Sequence, residues 1–351
     1  VEECALHHPD CGRGYARPHY SPTRLIQICA GGNHWRLRDN SQLMEEARHL
    51  RYIALSYTWG QHQQLLLRKG DLADLKKGMN VSDSLPKTFR DLIHVARRLS
   101  VDLIWIDALC IIQDSHEDWA AESMRMRAVY ANAYCTIAAS WGTDPTKGLS
   151  VDRDYEHIRP ASVQTSSQVT GRSDSAQVRI IEHNGWKKIL ERSALHKRGW
   201  ALQERLLSPR ILYFTKEQIL FECDIHRVCE LFPTNPPPGY APNSSDRRDD
   251  RPYTWYKAFV SKEEQTGQFG ENSKINSFFR RWLVIVEDYT KCHLTKRSDK
   301  LIALNGLVDL FEHLSGEKHL TGLWRSHIWE SLLWRVSQNH LGKTEMFPSF
   351  P

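Results

Sequence analysis

Two acidic residues of this sequence occupy positions that are typical of catalytic carboxylates. Asp107 comes directly after the apolar residues 103–106, and Glu122 lies on the apolar face of the helical segment that follows. A charge on a buried face is costly unless it is paired or used in chemistry. A partly buried glutamate has a raised pKa, which suits general acid–base catalysis or the stabilisation of a developing cation. Glu122 and Asp107 are therefore the candidate catalytic residues.

Each carboxylate also has a structural interpretation. Asp107 could bind a sugar hydroxyl, hold a base or coordinate a metal, but it could equally cap the next turn by accepting hydrogen bonds from backbone N–H groups. Glu122 could instead form an ion pair with a buried arginine such as Arg198 or Arg205. The sequence leaves both alternatives open.

Polar and aromatic residues near these positions are the candidate binding groups. Trp59 and Trp119 could stack on a planar ligand or simply fill the core. Cys110 lacks a partner histidine in a nucleophile pattern, because His116 lies at the start of the next helix. The predicted ligand-binding residues are Ser56, Tyr57, Trp59, Gln113, Trp119, Arg198 and Glu204.

Two short segments contain residue types that bind metals: Cys4, His7 and Cys11 in one, and Cys223, His226 and Cys229 in the other. Neither matches a common zinc pattern with paired C-x2-C units, so no metal is predicted, although the two segments could meet in space. Walker, G-x-G-x-x-G, H-E-x-x-H and G-x-S-x-G motifs are absent from the sequence. Their absence argues against glycine-loop nucleotide binding, zinc proteolysis and the usual esterase chemistry. No cofactor is predicted.

The elements that must position these residues can be identified from periodicity. Residues 52–57 and 101–106 are apolar runs typical of buried strands, and residues 85–99 between them have helical spacing, with Ser84 as the expected cap and Pro86 in the first turn. Strand, helix and strand in this order form a parallel crossover unit. A helix from Ser115 to about Ala133 and a strand at 134–139 continue the pattern. A short helix within 197–210 and strands at 211–214 and 218–223 follow.

These elements predict an α/β fold with a mostly parallel central sheet, helices on its faces, inserted strands and a helical C-terminal region. Residues 1–45 are predicted to be an irregular lead with one edge strand at 25–29, and residues 46–232 to be the main domain, with a polar insertion at 142–193. Residues 233–252 read as a linker. Residues 253–351 are expected to be helical, near 253–262, 275–290 and 299–314, and their abrupt end suggests truncation.

Composition limits the function classes. The 351 residues are 40% hydrophobic and 25% charged, with a net charge of +5 and scattered basic residues, which gives little support for nucleic-acid binding. No apolar stretch approaches the roughly 20 residues of a membrane span. Eight cysteines, several within apolar runs, indicate reduced thiols and a cytoplasmic location. The sequence has no signal peptide at its start, but its first residue is Val1 and not Met, so a further segment could precede it.

Several long segments together resemble the fungal heterokaryon-incompatibility (HET) domain. They occur in the family's order over about residues 20–230, at 52–60, 85–91, 103–114, 118–133, 198–210 and 221–223. Residues 251–335 are similar to the helical region that often follows this domain. Thr58 stands where many relatives have Cys, and Ala108 where many have Ser.

The resemblance implies a role in fungal self/non-self recognition, in which the domain is the effector of incompatibility cell death. The family has been likened to Toll/interleukin-receptor (TIR) domains, some of which cleave NAD with a glutamate on a helix, and this implies a TIR-like or flavodoxin-like core. The spacing Trp119-x2-Glu122 is similar to the TIR motif Trp-x3-Glu but one residue shorter.

Three hypotheses follow. In the first, the protein hydrolyses the N-glycosidic bond of NAD or a related nucleotide: Glu122 stabilises the ribosyl cation or binds the ribose hydroxyls, Asp107 holds the ribose or activates water, and Trp59 or Tyr57 packs on a base. In the second, it is a non-enzymatic signalling module that assembles with itself or a protein partner, and Glu122 is ion-paired. In the third, the fold serves the biosynthesis of a small molecule.

Overall fold

Four parallel strands form the centre of the fold. In this computed structural model, β3 pairs in parallel with β5 on one side and β6 on the other, and β6 pairs in parallel with β9. The apolar runs at 52–57, 101–106 and 134–139 become β3, β5 and β6, which confirms these three strands and the parallel crossover. The structure describes residues 1–9, 11, 20–29, 31–46, 50–61, 65–154, 156, 158–165, 176–234, 236–241 and 271–332.

Antiparallel strands extend this centre on both sides into a nine-stranded mixed sheet of order β11-β10-β9-β6-β3-β5-β1-β2-β4. The expected parallel pairing therefore holds at the centre, while both flanks are antiparallel. The strands are β1 Arg24–Ile28, β2 His34–Asp39, β3 Tyr52–Ser56, β4 Met79–Asn80, β5 Leu103–Trp105, β6 Cys135–Ala139, β7 Ala161–Thr165, β8 Ala176–Ile180, β9 Arg210–Phe214, β10 Ile219–Cys223, β11 Arg227–Cys229, β12 His319–Leu320 and β13 Leu323–Trp324.

The prediction of an edge strand near residues 25–29 was wrong. That strand, β1, lies inside the sheet between β5 and β2, because β2 and then β4 pair beyond it. Trp35 and Leu37 on β2 are fully buried, which explains why the chain adds strands there and does not end the sheet at β1. Among the described strands, the sheet ends at β11, three residues long, and at β4, two residues long.

Helices cover both the sheet and its connections. They are α1 Glu2–His7, α2 Asn40–Glu46, α3 Leu72–Lys77, α4 Val81–Ser84, α5 Lys87–Arg98, α6 Asp107–Cys110, α7 His116–Asn132, α8 Gly185–Arg192, α9 Gly199–Leu207, α10 Glu271–Thr290, α11 Ile302–Ser315 and α12 Ile328–Leu332. Within the described ranges, no helix combines the length and the apolar character needed to cross a lipid bilayer.

The helix between β3 and β5 begins differently from its predicted start. The residue before its first turn is Pro86, and the helix begins at Lys87. Ser84 does not cap it, because the Ser84 hydroxyl donates to the carbonyl of Asn80 and accepts from the indole of Trp35. The helix itself has the predicted buried stripe.

The insertion at 142–193 contains the antiparallel pair β7–β8 and helix α8. The helices expected at 275–290 and 299–314 correspond to α10 and α11, whereas the one expected near 253–262 lies outside the described residues. The domain boundaries at 46–232 and 253–351 remain predictions.

Helix α11 packs closely on α7 and α9 through a glycine. A Cβ at Gly306 would lie 2.9 Å from the Cβ of Arg127 and 2.9 Å from Oε1 of Gln203. We expect Gly306→Ala to lower the free energy of unfolding by about 1–3 kcal/mol, because α11 must move away from both neighbours. Urea unfolding followed by circular dichroism measures this. A Cβ at Gly70 meets nothing within 4 Å, so Gly70→Ala is the matched control, and equal losses in the two variants would contradict the packing argument.

Candidate functional site

Polar side chains gather where the parallel strands end. The chain runs from β3 outward in opposite directions, to β5 on one side and to β6 on the other. Open α/β sheets bind ligands in the crevice outside the carboxyl ends of their strands, where the strand order reverses in this way. Residues 56–59 follow or end β3, and Asp107 comes two residues after β5. Arg198, the residue before α9, and Glu204, within α9, reach the same place.

Asp107 is held by donors from both strand ends. Nε1 of Trp59 donates to Oδ2 over 2.8 Å, and the backbone N–H of Ala108 donates to Oδ1 over 2.7 Å. Burial raises the pKa of Asp107, while the charge of Arg198 and hydrogen bonds from Trp59, Ala108 and Tyr57 act in the opposite direction. Asp107 therefore caps its own turn, as its structural interpretation expects, and it also faces a positive charge and an indole. Its binding role stays a prediction.

Arg198 supplies the positive charge of the site. Its Nη1 donates to the carbonyl oxygen of Tyr57, the first residue after β3. The backbone position of Arg198 is fixed locally. The residue directly precedes α9, and its N–H donates to the carbonyl oxygen of Leu195 over 3.0 Å. The same guanidinium acts electrostatically on Asp107 and on Glu204. Arg198 thus links the two acidic groups of the site.

Glu204 is the deeply buried acid of the site, with only 2% of its surface exposed. Ser56 donates its hydroxyl hydrogen to Oε2 of Glu204, and Tyr130 also hydrogen-bonds with this carboxyl group. Burial raises the pKa of Glu204 to about 7, although the charge of Arg198 and the hydrogen bond from Ser56 oppose the rise. A carboxyl group with a pKa near neutrality can both donate and accept a proton at physiological pH.

Glu122 lies in a different network. It is 1% exposed, and its Oε1 accepts from Oγ1 of Thr23 over 2.7 Å and from Nη1 of Arg125 over 2.7 Å. An ion pair was one expected role for Glu122, but its partner is Arg125, not Arg198 or Arg205. Among the described residues no hydrogen bond joins this network to Asp107. The two carboxylates thus have different hydrogen-bond partners, and a catalytic role for either one stays a prediction.

Two further predicted binding residues have structural contacts. Nε2 of Gln113 donates to the carbonyl oxygens of Asp107, over 3.1 Å, and Ile111, over 3.0 Å, so this side chain braces the turn that carries Asp107. Trp119 is partly buried and packs against the hydrophobic core, with its ring 6.4 Å from that of His116. Gln113 thus supports the site from outside, whereas Trp119 contributes to the core.

The surroundings of the Cys110 thiol disfavour a nucleophilic role. It is fully buried, and burial raises its pKa to about 12. A thiol needs a lowered pKa to be a nucleophile near neutral pH.

A buried ion pair fixes the segment between β5 and α7. Nε of Arg24 donates to the carbonyl of Cys110 over 2.8 Å, and Nη2 donates to Oδ1 of Asp118 over 2.6 Å. The other oxygen of Asp118 accepts from the backbone N–H of Ile112 over 2.8 Å. Arg24 thereby holds the turn that starts at Asp107.

Sequence reasoning missed Tyr130 and Arg24 as parts of this region. Tyr130 lies on the predicted buried face of α7, and its hydroxyl donates to the carbonyl of Leu55 over 3.1 Å beside Glu204. A tyrosine on an apolar helix face gives no signal of its partner. Arg24 opens a strand that was predicted to lie at an edge, where a buried arginine is not expected.

Comparison with known proteins agrees with the resemblance seen in the sequence. Residues 52–204 match the family model described as heterokaryon incompatibility protein (HET). Heterokaryon incompatibility protein 6, OR allele, of Neurospora crassa is 32% identical over 92 residues, covering 24% of this chain and 14% of that relative. The chain therefore matches only a small part of the relative's length. No solved structure matches this chain significantly.

Proposed function

We propose that this chain, whose residues 52–204 match the heterokaryon-incompatibility (HET) family model, acts as an effector of incompatibility cell death in fungal self/non-self recognition. The similarity to a heterokaryon incompatibility protein of Neurospora crassa supports this role. Its place of action under the proposal is the cytoplasm, which the sparse cysteines of the sequence favour.

We propose further that the effector activity is hydrolysis of the N-glycosidic bond of NAD or a related nucleotide. The observation that carries this is the convergence of Asp107, Arg198 and Glu204 with Trp59 at the carboxyl ends of the parallel strands. The four parallel strands are arranged in the order β5-β3-β6-β9, so the strand that comes first in the chain, β3, is the second in the sheet. Flavodoxin-like sheets have this order and bind nucleotides where the strand order reverses. This order also supports the proposed likeness to TIR domains.

Each group has a role in this chemistry. In the reaction the C–N bond to the ribosyl carbon breaks, its electron pair neutralises the nicotinamide ring, and water forms the new C–O bond. Asp107 binds a ribose hydroxyl or accepts the proton of that water, and a carboxylate also stabilises the positive charge that develops on the ribose. Arg198 attracts the phosphates. Trp59, whose indole is oriented by Asp107, packs on a ring of the nucleotide. Glu204 changes the net charge of the site by one unit when it gains or loses its proton.

Asp107→Asn tests this assignment. We expect the variant to release nicotinamide at least a hundredfold more slowly than the wild type, because Asn keeps the shape of Asp107 but neither stabilises a cation nor accepts a proton. Purified protein is incubated with NAD, NADP and ATP, and free base is followed by chromatography. Glu122→Gln is the matched control, since it removes a buried carboxylate from the separate network with Arg125 and Thr23.

The outcomes separate the assignments. Undiminished turnover by folded Asp107→Asn contradicts the role of Asp107, and loss of turnover in Glu122→Gln alone returns catalysis to Glu122. No release by the folded wild type contradicts N-glycosidic cleavage altogether.

A non-enzymatic assembly module is the second candidate function, and the ion pair of Glu122 favours it. If the protein is an assembly module, the prominent residues of its motifs should have structural roles. Glu122 forms an ion pair with Arg125, and Trp119 packs on the hydrophobic core, as this hypothesis expects. Light scattering over a range of protein concentrations, with nucleotide consumption followed in parallel, tests this candidate. Concentration-dependent assembly without loss of any nucleotide supports it, and a monomer at all concentrations contradicts it.

A further inference from the structure

Three thiols and an imidazole from distant parts of the sequence meet at the other end of the sheet. Cys4 lies on α1, His8 directly follows that helix, Cys11 is three residues further on, and Cys223 ends β10. One ligand atom from each of the four residues lies within 4.8 Å of all the others. We propose that Cys4, His8, Cys11 and Cys223 bind one Zn²⁺ ion as a structural Cys3His site.

Two of the distances between the ligand atoms match the edges of a tetrahedron around zinc, and all of them are within 4.8 Å. The Sγ atoms of Cys4 and Cys11 are 3.7 Å apart, and Sγ of Cys223 is 3.6 Å from Nδ1 of His8. Zinc binds thiolate sulfur at about 2.3 Å and imidazole nitrogen at about 2.0–2.1 Å, so the edges of the tetrahedron are about 3.8 Å between sulfurs and about 3.6 Å between sulfur and nitrogen. Both measured separations match these edges within about 0.1 Å.

The local backbone explains why these four residues converge. Cys4 and His8 are four residues apart, so they lie on one face of a helical turn. The backbone N–H of Cys11 donates to the carbonyl of His8 over 3.1 Å, which turns the chain back toward Cys4. The thiol of Cys223 accepts from the backbone N–H of His226 over 3.2 Å, as zinc-binding thiolates commonly do.

The charge of the surroundings suits three thiolates. Nε of Arg210 donates to Sγ of Cys4 over 3.2 Å. Three thiolates and one Zn²⁺ carry a net charge of −1, which the guanidinium neutralises. A hydrogen bond to a ligand sulfur from a cationic group also favours its deprotonated form, the form that binds metal.

The ligand set differs from both sequence candidates. Cys4, Cys11 and Cys223 belong to the predicted segments, but His8 takes the place of the exposed His7. His226 packs its ring 4.7 Å from that of His8, and the ligand atoms of His226 and Cys229 are outside the cluster. The two segments therefore form one site, in which three ligands come from the first segment and one from the second.

The position of the cluster indicates a structural role. Arg210 is the first residue of β9, and its Nη1 donates to the carbonyl of Tyr134, just before β6. The cluster thus lies at the amino ends of the parallel strands, opposite to Asp107 and Glu204. Four protein ligands complete the coordination of zinc and leave no position for a substrate. Zinc here would join α1 to the end of β10.

Metal content of the purified protein tests the proposal. The protein is produced with zinc in the medium, purified under reducing conditions without a polyhistidine tag, and analysed by inductively coupled plasma mass spectrometry. We expect one zinc per chain in the wild type, and less than one fifth of that in Cys223→Ser and His8→Ala. His7→Ala and Cys229→Ser are the matched controls and should keep one zinc per chain.

A rescue variant and a spectroscopic measurement keep the test independent of folding. His8→Cys supplies a fourth thiolate and should restore one zinc per chain if His8 is a ligand. Cobalt added to the metal-free protein should give the intense visible bands of a tetrahedral thiolate site, and the bands should be absent in Cys223→Ser. A chelator that removes the metal should lower the melting temperature of the wild type while leaving that of folded Cys223→Ser unchanged.

Three results would overturn the proposal: a wild type without zinc that also fails to take up cobalt, full zinc content in both ligand variants, or a disulfide between Cys4 and Cys11 that persists in protein purified under reducing conditions. The nucleotide-release assay is independent of these outcomes, since the zinc site and the proposed catalytic groups lie at opposite ends of the sheet.

Discussion

We expect Glu204→Gln to gain stability relative to the wild type as the pH rises. The difference in free energy of unfolding, variant minus wild type, should be about 3 kcal/mol larger at pH 8 than at pH 4. In the folded wild type, burial raises the pKa of Glu204 from an ordinary 4.5 to about 7. The folded state therefore prefers the protonated carboxyl group. The stability that this group contributes is fully present below pH 4.5 and is lost as the pH rises through 7. Gln resembles the protonated form at every pH and can still accept the hydrogen bond from Ser56.

Urea unfolding of both proteins at several pH values between 4 and 8 measures this effect. The difference in free energy of unfolding should grow in favour of Glu204→Gln between pH 4.5 and 7 and then stay constant. Glu191→Gln makes the same chemical change on an exposed side chain of α8 and serves as the control, with a difference that stays small at every pH. A pH-independent difference for Glu204→Gln would show that Glu204 titrates normally in the folded protein.

Arg24→Met is expected to lower the free energy of unfolding by about 3–5 kcal/mol. Arg24 is 7% exposed, and the change removes its donors to Asp118 and to the carbonyl of Cys110. The carboxylate of Asp118 would then be left largely buried with only the N–H of Ile112 as a described donor. An uncompensated buried charge accounts for most of the expected loss, which urea unfolding measures.

The ion pair of Arg153 with Glu230 provides the comparison. Its atoms are 2.7 Å apart, but both side chains are much more exposed, so Arg153→Met should cost at most about 1 kcal/mol. The double variant Arg24→Met, Asp118→Leu should recover part of the loss, because it removes the stranded charge as well. Equal losses in Arg24→Met and Arg153→Met would contradict the role of burial.

Local patterns predicted the centre of this fold well and its flanks poorly. β3, β5 and β6 are long apolar runs, and the helix between the first two has a clear apolar stripe, so the parallel unit follows from short-range information. The flanking strands β2 and β4 alternate or are very short, and their places depend on pairing with β1. Such pairing is decided by the burial of Trp35 and Leu37, which a local pattern does not reveal.

The candidate site was predicted as a group but not in its details. Strand ends identify Ser56, Trp59 and Asp107, because carboxyl ends of parallel strands meet at one edge. Helical periodicity shows that Glu122 is on the apolar face of its helix, but it does not show what the side chains of Glu122 and Glu204, both buried, each face. One faces Arg125 and the other faces Ser56, and only the packing of α7 and α9 on the sheet decides this.

The same limit applies to the two histidines at the end of α1. His7 is the last residue of that helix and His8 directly follows it, so the two side chains point in different directions. His8 points to the cluster of thiols and His7 to solvent. The ligand types could be read from the sequence, but the choice of histidine required the position of Cys223.

The short strands at the margins of the sheet restrict how copies of this protein could join. An exposed long strand offers a row of unpaired N–H and C=O groups to a second chain, which can extend the sheet from molecule to molecule. β4 and β11 offer only two and three residues. Among the described residues, the edges of this nine-stranded sheet therefore offer little template for fibre growth by strand addition. Assembly through this part of the molecule would use helix surfaces and side chains, and mild changes in salt or concentration that leave amyloid-like fibres intact would dissolve it.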